Sequence, residues 1–208
     1  MKKNKDYFII DTFISKDEQD KLEDCFLLSE IAWYLCGDNL RTVPEEMHLK
    51  ELKVFPNIFE YTQFVHTLVS YNIDTGKSET NSNITLINKI LNNTAQFFSS
   101  NINIIRAKVN LQTKVYLSNR YLHNTPHVDL PFTGDNYWTM VYFVIDSDGP
   151  LRLFDSDNSI VESIEPKKGR AVIFRNHIRH CGVHPTKNNF RSVLNLNFTT
   201  ILPENLDK

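Results

Sequence analysis

The pattern of hydrophobic and polar positions divides the chain near residue 103. The first part predicts a strand over residues 7–11 and a helix beginning at Ser15, where Glu18 three residues later completes a capping box. A second helix is predicted over 82–98, because its apolar positions fall mainly on one side at helical spacing. Residues 37–80 contain several chain breakers and are predicted to be irregular. We expect both helices to be supports for the functional part.

The second part of the chain changes to the pattern of β-strands, separated by turns rich in Gly and Asp. A series of short strands of this kind is typical of a β-sandwich or barrel. The predicted strands cover residues 104–115, 137–145, 151–154, 170–174 and 192–199.

The last of these strands alternates between an apolar and a polar face. Side chains two residues apart in a strand share a face, so one face carries Leu194, Leu196 and Phe198. The other face carries Arg191, Val193, Asn195 and Asn197. Buried polar groups cost free energy unless they are paired. A polar face inside a barrel therefore indicates a ligand, water or partner groups there.

Length and composition fit one globular domain over residues 1–208. The chain is 41% hydrophobic and 12% aromatic, and its formal net charge is −2, which gives no global attraction to nucleic acid or anionic lipid. We expect residues 1–103 to provide helical support and substrate entry, and residues 104–200 to form the core. No stretch is apolar for long enough to span a bilayer, so we expect no membrane partner and a cytoplasmic location.

One short region is rich in basic side chains. Such a cluster usually forms a solvated face, and contact with a nucleic acid is the alternative. Its members are Lys167, Lys168, Arg170, Arg175 and Arg179.

The triplet His127-Val128-Asp129 carries the main chemical signal. Residues i and i+2 of an extended segment point the same way, so the imidazole and the carboxylate can reach one metal ion. A distant second histidine would complete a facial triad, which leaves coordination positions open for substrate and dioxygen and is typical of iron(II). The residue pattern leaves His177, His180 and His184 open as that second histidine.

From His127 to Phe198 the chain resembles the 2-oxoglutarate- and iron(II)-dependent dioxygenases, most closely their prolyl 4-hydroxylase-like branch. That branch has a distal histidine after a G-x-x-x-x-F strand and then a basic residue on the final strand, and residues 169–174, His180 and Arg191 follow this order. The resemblance favours His180, which lies 11 positions before Arg191. It implies a metal site of His127, Asp129 and His180.

The resemblance also implies Fe(II) as the metal and 2-oxoglutarate and dioxygen as co-substrates. Arg191 is expected to pair with the distal carboxylate of 2-oxoglutarate, because a guanidinium binds a carboxylate with two parallel hydrogen bonds. Tyr142 occupies a position where the family often has a hydroxyl for the same carboxylate. Asn195, on the face of Arg191, is expected to take part in binding the co-substrate.

The fold implied by the resemblance is α+β, with a double-stranded β-helix, or jelly-roll, core and supporting N-terminal helices. The implied activity is hydroxylation of a prolyl or related substrate, a peptide or a small molecule, with release of succinate and CO2. One alternative is oxidative demethylation of a nucleobase, favoured by the basic cluster and by aromatic side chains that could stack on a base. Another is a jelly-roll protein that binds without turnover. The aromatic side chains are Trp33, Tyr34, Tyr121 and Trp138.

Overall fold

The structure of the chain is a computed structural model, which describes most of its residues. The described residues are 2–3, 6–28, 31–36, 63–116, 124–130, 132 and 134–201. Tyr121 and residues 37–62, for which the sequence makes predictions, lie outside them.

Two α-helices are found among the described residues. Helix α1, Lys16–Leu27, begins where the capping box predicts, and the Ser15 hydroxyl accepts a hydrogen bond from the Glu18 backbone N–H. The predicted helix over 82–98 is divided: a 3-10 helix, Ser82–Ile87, precedes helix α2, Asn88–Phe98. Asn81 caps the 3-10 helix with its side chain.

A large antiparallel sheet forms the centre of the described part of the chain. Its strand order is β1-β2-β10-β7-β12-β6-β4-β3, and β5 pairs with β4 outside this order. The bounds are β1 Lys2–Lys3, β2 Tyr7–Ile10, β3 Tyr34–Cys36, β4 Gln63–Asn72, β5 Lys77–Thr80, β6 Asn101–Thr113, β7 Tyr137–Phe143, β10 Ala171–Arg175 and β12 Phe190–Ile201.

A three-stranded sheet in the order β11-β8-β9 faces one side of the large sheet. Apolar side chains from both sheets, such as Val141, Phe174 and Leu153, form the core between them. The helices cover the other side, where Phe26 and Ile90 pack against the large sheet. The bounds of the small sheet are β8 Leu151–Phe154, β9 Ile160–Ile164 and β11 His180–Gly182.

The fold is α+β, with the double-stranded β-helix core that the sequence predicts and the N-terminal helices as support. The last strand, β12, has the predicted alternation. Leu194, Leu196 and Phe198 belong to the core under the helices, and Val193 belongs to the core between the sheets. The polar side chains of β12 therefore face the space between the two sheets.

The structure corrects the prediction that residues 37–80 are irregular. Residues 63–72 form β4, which pairs with β6 and extends the large sheet, and β5 follows it as the second strand of a hairpin. The sequence also did not predict β9 and β11, which are short strands of five and three residues. Within the described residues, no helix combines the length and the apolar character that crossing a membrane requires.

Candidate metal centre

The backbone brings His127 and His180 side by side. The two residues form an isolated antiparallel bridge, in which His127 N donates to His180 O at 3.0 Å and His180 N donates to His127 O at 2.9 Å. The ring centres are 4.8 Å apart. His127 and His180 are more than 50 positions apart in sequence. They are neighbours because His180, the first residue of β11, pairs with the segment that contains His127.

Backbone carbonyls orient both imidazole rings. The Nδ1 atom of His127 lies 2.9 Å from Thr125 O, and the Nδ1 atom of His180 lies 3.3 Å from Ile178 O. A carbonyl can only accept, so each ring carries its proton on Nδ1 in these contacts and leaves the Nε2 lone pair free. This is the tautomer that a metal ligand needs.

The Asp129 carboxylate lies between the two Nε2 atoms. Its Oδ1 is 3.9 Å from His127 Nε2, and its Oδ2 is 3.5 Å from His180 Nε2. The ligand atoms of the three residues all lie within 4.8 Å of one another. Two imidazoles and one carboxylate on one side of a cavity are the donor set of a facial triad for a divalent metal.

Three further side chains donate to the same carboxylate. Arg106 Nη2 donates to Oδ1 at 2.6 Å, while Asn195 Nδ2 and Asn197 Nδ2 donate to Oδ2 at 3.0 and 3.1 Å. The Asp129 side chain is only 3% exposed, so these contacts replace the water it loses. The carboxylate is fixed in position before any metal arrives.

The electrostatics of the cluster lower the pKa of His127 and that of Asp129. Burial and the neighbouring His180 lower the pKa of His127. Burial alone would raise the pKa of Asp129, but the contacts with His180 and the charge of Arg106 outweigh it and hold that pKa well below its usual value. Unprotonated histidines and an ionised aspartate are the forms that bind metal.

Of the three candidate distal histidines, His180 joins His127 and Asp129. His177 is exposed to solvent. His184 is buried elsewhere, with its Nδ1 3.1 Å from Thr113 O. The grouping agrees with the spacing that favours His180.

A polar cavity extends from the metal cluster to Arg191. Its wall includes the inward side chains of β6 and β12, and Arg191 is only 3% exposed. The guanidinium donates from Nε to Gly149 O at 2.7 Å and from Nη1 to Gln112 Oε1 at 2.8 Å. Burial lowers the pKa of Arg191 to about 10, which still leaves it charged at neutral pH.

The guanidinium of Arg191 has no carboxylate partner among the residues that the structure describes. Gly182 lies directly against it: a Cβ at position 182 would be 3.0 Å from Nη1, so a larger residue would press on this group. A buried cation without an anion is costly, and an anionic ligand in the cavity would offset that cost. The arrangement fits a ligand with a carboxylate at its inner end.

Tyr142 does not line this cavity, which contradicts its predicted contact with the co-substrate. Its side chain is 1% exposed and belongs to the core under the helices, on the opposite side of the large sheet. The next residue, Phe143, faces inward, with its ring centre 5.6 Å from the Arg191 Cζ atom. Strand β7 therefore offers no hydroxyl to this part of the cavity.

Asn195 lines the cavity, where its observed contact is with Asp129, and its expected role in binding the co-substrate stays a prediction. Its Oδ1 is buried without a hydrogen-bond partner in the described part of the chain, so it can still accept a bond from a ligand. Sequence reasoning assigned no role to Arg106. The alternation of β6, which brings Arg106, Lys108, Asn110 and Gln112 to one face, is the signal that could have identified it.

A buried hydrogen-bond network continues from Asn197. Its Oδ1 accepts from Arg106 Nε at 3.0 Å, and its Nδ2 also donates to Thr139 Oγ1 at 3.0 Å. Thr139 donates in turn to Asn176 Oδ1, and Asn176 donates to Leu130 O. The network ties the segment after Asp129 to the large sheet and to the segment that leads to His180.

The predicted basic cluster is largely paired with acidic side chains. Lys168 contacts Asp20 and Glu23 on α1, and Arg170 donates from Nε to Asp11 at 2.6 Å. Lys167 lies 3.5 Å from the same aspartate. Arg175 lies over the Trp138 ring, with its Cζ atom 4.0 Å from the ring centre. The cluster is thus not a continuous patch of unpaired positive charge.

Comparison with known proteins finds a family model that matches residues 111–199. It is the model described as the 2OG-Fe(II) oxygenase superfamily. The matched segment contains His127, Asp129, His180 and Arg191. No curated protein sequence matches the chain.

Solved structures of similar fold include two prolyl hydroxylases. The prolyl hydroxylase from Trichoplax adhaerens, in complex with a peptide fragment, is 15% identical with a TM-score of 0.59, and the match covers 93% of this chain and 83% of that one. The viral collagen prolyl hydroxylase from Paramecium Bursaria Chlorella virus-1 is 15% identical with a TM-score of 0.55, covering 95% and 98%.

A third similar structure is the non-heme alpha-ketoglutarate-dependent epimerase SnoN from nogalamycin biosynthesis. It is 12% identical with a TM-score of 0.59, and the match covers 93% of this chain and 77% of that one. Likeness at this level of identity concerns the fold alone. The three proteins share one architecture, while their names describe two reactions, prolyl hydroxylation and epimerisation.

Proposed function

We propose that this chain is a member of the 2OG-Fe(II) oxygenase superfamily, whose model matches residues 111–199, and that it hydroxylates a prolyl or related substrate. Fe(II) and 2-oxoglutarate are the cofactor and co-substrate of that superfamily. In the balanced reaction, substrate C–H, 2-oxoglutarate and O2 give substrate C–OH, succinate and CO2. One oxygen atom enters the hydroxyl group and the other enters succinate.

The observation that carries the proposal is the pairing of two features in one cavity. His127, Asp129 and His180 form a donor set for a divalent metal at one end. The buried guanidinium of Arg191, with no carboxylate partner in the described part of the chain, lies at the other. A 2-oxo dicarboxylic acid has complementary groups at its two ends, because its keto acid end chelates a metal and its far carboxylate pairs with an arginine.

The chain's own residues supply binding and orientation. His127 and His180 offer Nε2 because carbonyls hold their Nδ1 protons, and Asp129 offers a carboxylate oxygen that Arg106 and two asparagines hold in place. Iron(II), when bound, supplies the activation of dioxygen. Arg191 then orients 2-oxoglutarate by its far carboxylate.

A prolyl substrate is supported by the order of the motif residues and by similarity of fold. His127-Val128-Asp129, His180 and Arg191 follow the order of the prolyl 4-hydroxylase-like branch. Prolyl hydroxylases from an animal and from a virus share the fold over more than nine tenths of this chain. The epimerase of similar fold shows that architecture alone does not select the reaction.

Demethylation of a nucleobase has less support than hydroxylation of a prolyl group. Trp138 is only 6% exposed and lies under the Arg175 guanidinium, so its ring is not free to stack on a base. Lys167, Lys168 and Arg170 have acidic partners. Trp138 and these three basic residues are therefore engaged within the protein, whereas Tyr34 is exposed.

The test measures succinate formation by the full-length chain with Fe(II), 2-oxoglutarate and O2. Proline-rich peptides and free proline are compared with methylated oligonucleotides, and hydroxylated product is identified by a mass increase of one oxygen atom. Stimulation of succinate formation by a prolyl substrate, lost in Arg191→Met, is the expected result. Stimulation by oligonucleotides alone would overturn the prolyl proposal.

A further inference from the structure

We propose that Gln112 is a specificity-determining residue, which binds the far carboxylate of the co-substrate together with Arg191. The inference rests on the proposed function, since it concerns the same cavity. It assigns to an amide on β6 the role that the sequence predicts for a hydroxyl on β7. Gln112 lies within the segment that the family model matches, but the motif pattern gives it no role.

Gln112 and Arg191 are directly opposite each other on neighbouring strands. They are register partners of β6 and β12, and both side chains are 3% exposed. Gln112 Oε1 accepts from Arg191 Nη1 at 2.8 Å, and both residues line the cavity that contains the metal cluster. The amide therefore lies at the inner end of the cavity, beside the guanidinium.

The unused donors of this pair match one carboxylate. Arg191 has five N–H donors, and its described contacts use one on Nε and one on Nη1. The Gln112 amide uses its oxygen for Arg191, and no partner for its NH2 group is found among the described residues. An ionised carboxylate accepts hydrogen bonds only, at about four lone-pair sites, so it can take up donors from both side chains.

Gln112 is the residue whose side chain accepts a hydrogen bond from Arg191 among the described residues. Phe143 faces the guanidinium from β7 and contributes a ring without a hydroxyl. Gly182 faces it from β11 and has no side chain. The Gly149 carbonyl can only accept. The contact with Arg191 also fixes the Gln112 amide, so its NH2 group is oriented before the ligand binds.

An amide at position 112 also keeps the cation available for a ligand. A carboxylate at the same place would pair with Arg191 inside the protein and would occupy the donors that the co-substrate needs. Glutamine and glutamate have nearly the same shape, so Gln112→Glu changes the charge and the donors with little change in packing. Gln112→Glu therefore tests whether Gln112 recognises the ligand while leaving its packing within the protein almost unchanged.

The experiment measures anaerobic binding of two ligands to the Fe(II)-loaded full-length chain. The ligands are 2-oxoglutarate and 2-oxovalerate, which has the same keto acid end but lacks the far carboxylate. The variants are Gln112→Glu and Gln112→Leu, and Gln96→Leu, on the exposed side of α2, is the matched control. Gln112→Leu removes the hydrogen bond to Arg191 and could prevent folding. Gln112→Glu keeps an oxygen that accepts from Arg191, so the test can still be made with this variant.

The expected result is selective for the ligand with two carboxylates. Gln112→Leu lowers the affinity for 2-oxoglutarate by about tenfold, the effect of losing one charge-assisted hydrogen bond, and Gln112→Glu lowers it by about a hundredfold or more. Affinity for 2-oxovalerate stays within about twofold of the wild type, and Gln96→Leu changes neither affinity.

Two results would overturn the inference, and a third would overturn the proposed function itself. If both Gln112 variants bind 2-oxoglutarate as the wild type does, or weaken both ligands equally, Gln112 does not recognise the far carboxylate. If the wild-type chain binds 2-oxoglutarate no better than 2-oxovalerate, the far carboxylate has no site in the cavity. The role of Arg191 then fails together with that of Gln112.

Discussion

Arg106 donates a hydrogen bond from Nη2 to Asp129 Oδ1 at 2.6 Å, across 23 residues of sequence. The guanidinium side chain is 21% exposed and the carboxylate 3% exposed, so the pair lies at the edge of the buried region. Asp129 is one of the three proposed metal ligands. Arg106 is therefore a positioning residue, which holds a ligand without facing the metal itself.

Replacing Arg106 with methionine is expected to destabilise the metal-free protein by about 2–3 kcal/mol. The substitution removes a charge-assisted hydrogen bond and leaves a buried carboxylate with only its two amide donors. Urea denaturation in the presence of a chelator measures the loss. Arg170→Met, which breaks the more exposed pair with Asp11, is the control and costs about 1 kcal/mol or less. Equal losses in the two variants would show that Asp129 does not depend on Arg106.

Replacing Tyr142 with phenylalanine is expected to leave the affinity for 2-oxoglutarate unchanged. The Tyr142 hydroxyl lies on the helix side of the large sheet and is buried without a hydrogen-bond partner in the described part of the chain. Removing an unpaired buried hydroxyl is expected to leave stability unchanged or to raise it by up to about 1–3 kcal/mol. The measurements are the KM for 2-oxoglutarate and the urea midpoint. A large rise in KM would place the hydroxyl in the cavity and contradict the fold on this strand.

The stability of the metal-free protein is expected to depend on the protonation of His184. Burial lowers the pKa of His184 from 6.5 to about 4 in the folded chain. Between these values the unfolded chain binds one more proton than the folded chain, so the free energy of unfolding rises with pH by about 1.4 kcal/mol per pH unit. Above pH 6.5 this dependence ends, because neither state is protonated.

The change that tests this dependence is His184→Gln. Urea denaturation at several pH values between 4 and 6.5, with a chelator present, is expected to give a slope smaller by about one proton than in the wild type. His127, whose pKa is also lowered, keeps its own contribution in both proteins. An unchanged slope would mean that His184 is not held in its neutral form by the fold.

The pairing of His127 with Asp129 could be predicted from the residue pattern because its signal is local, whereas His180 was favoured only by the resemblance. Residues two apart in an extended segment must share a direction, and the pattern G-x-x-x-x-F, histidine and arginine orders the distal part. The alternation of β12 likewise predicts its polar face. Leu194, Leu196 and Phe198 are two residues apart and lie on one face, so the residues between them must lie on the other. The roles of these residues as ligands remain predictions.

The face of Tyr142 could not be predicted in the same way. The residues of β7 from Trp138 to Phe143 are all buried, because one face packs under the helices and the other faces the small sheet. A strand that is apolar on both faces shows no alternation of apolar and polar residues, so its sequence does not indicate which side chains point to which face. The prediction placed Tyr142 on the face of β7 that points into the cavity, but in the structure that face carries the next residue, Phe143.

Arg106 and strand β4 could not be predicted from the motif because they depend on contacts distant in sequence. Arg106 lies opposite Asn197 in the pairing of β6 with β12, and both side chains donate to Asp129, which is distant from each of them in sequence. Residues 63–72 become a strand by pairing with β6, although their own pattern is not regular. Tertiary pairing decides the structure of such segments.

The most direct test of the central claim is an anaerobic visible spectrum of the metal-free protein after addition of Fe(II) and then 2-oxoglutarate. The wild type is compared with His127→Ala, His180→Ala and the exposed control His177→Ala. A metal-to-ligand charge-transfer band is expected in the wild type and in His177→Ala, and it is expected to be lost in the other two variants. Absence of the band in the wild type, or its survival in His180→Ala, would contradict the account.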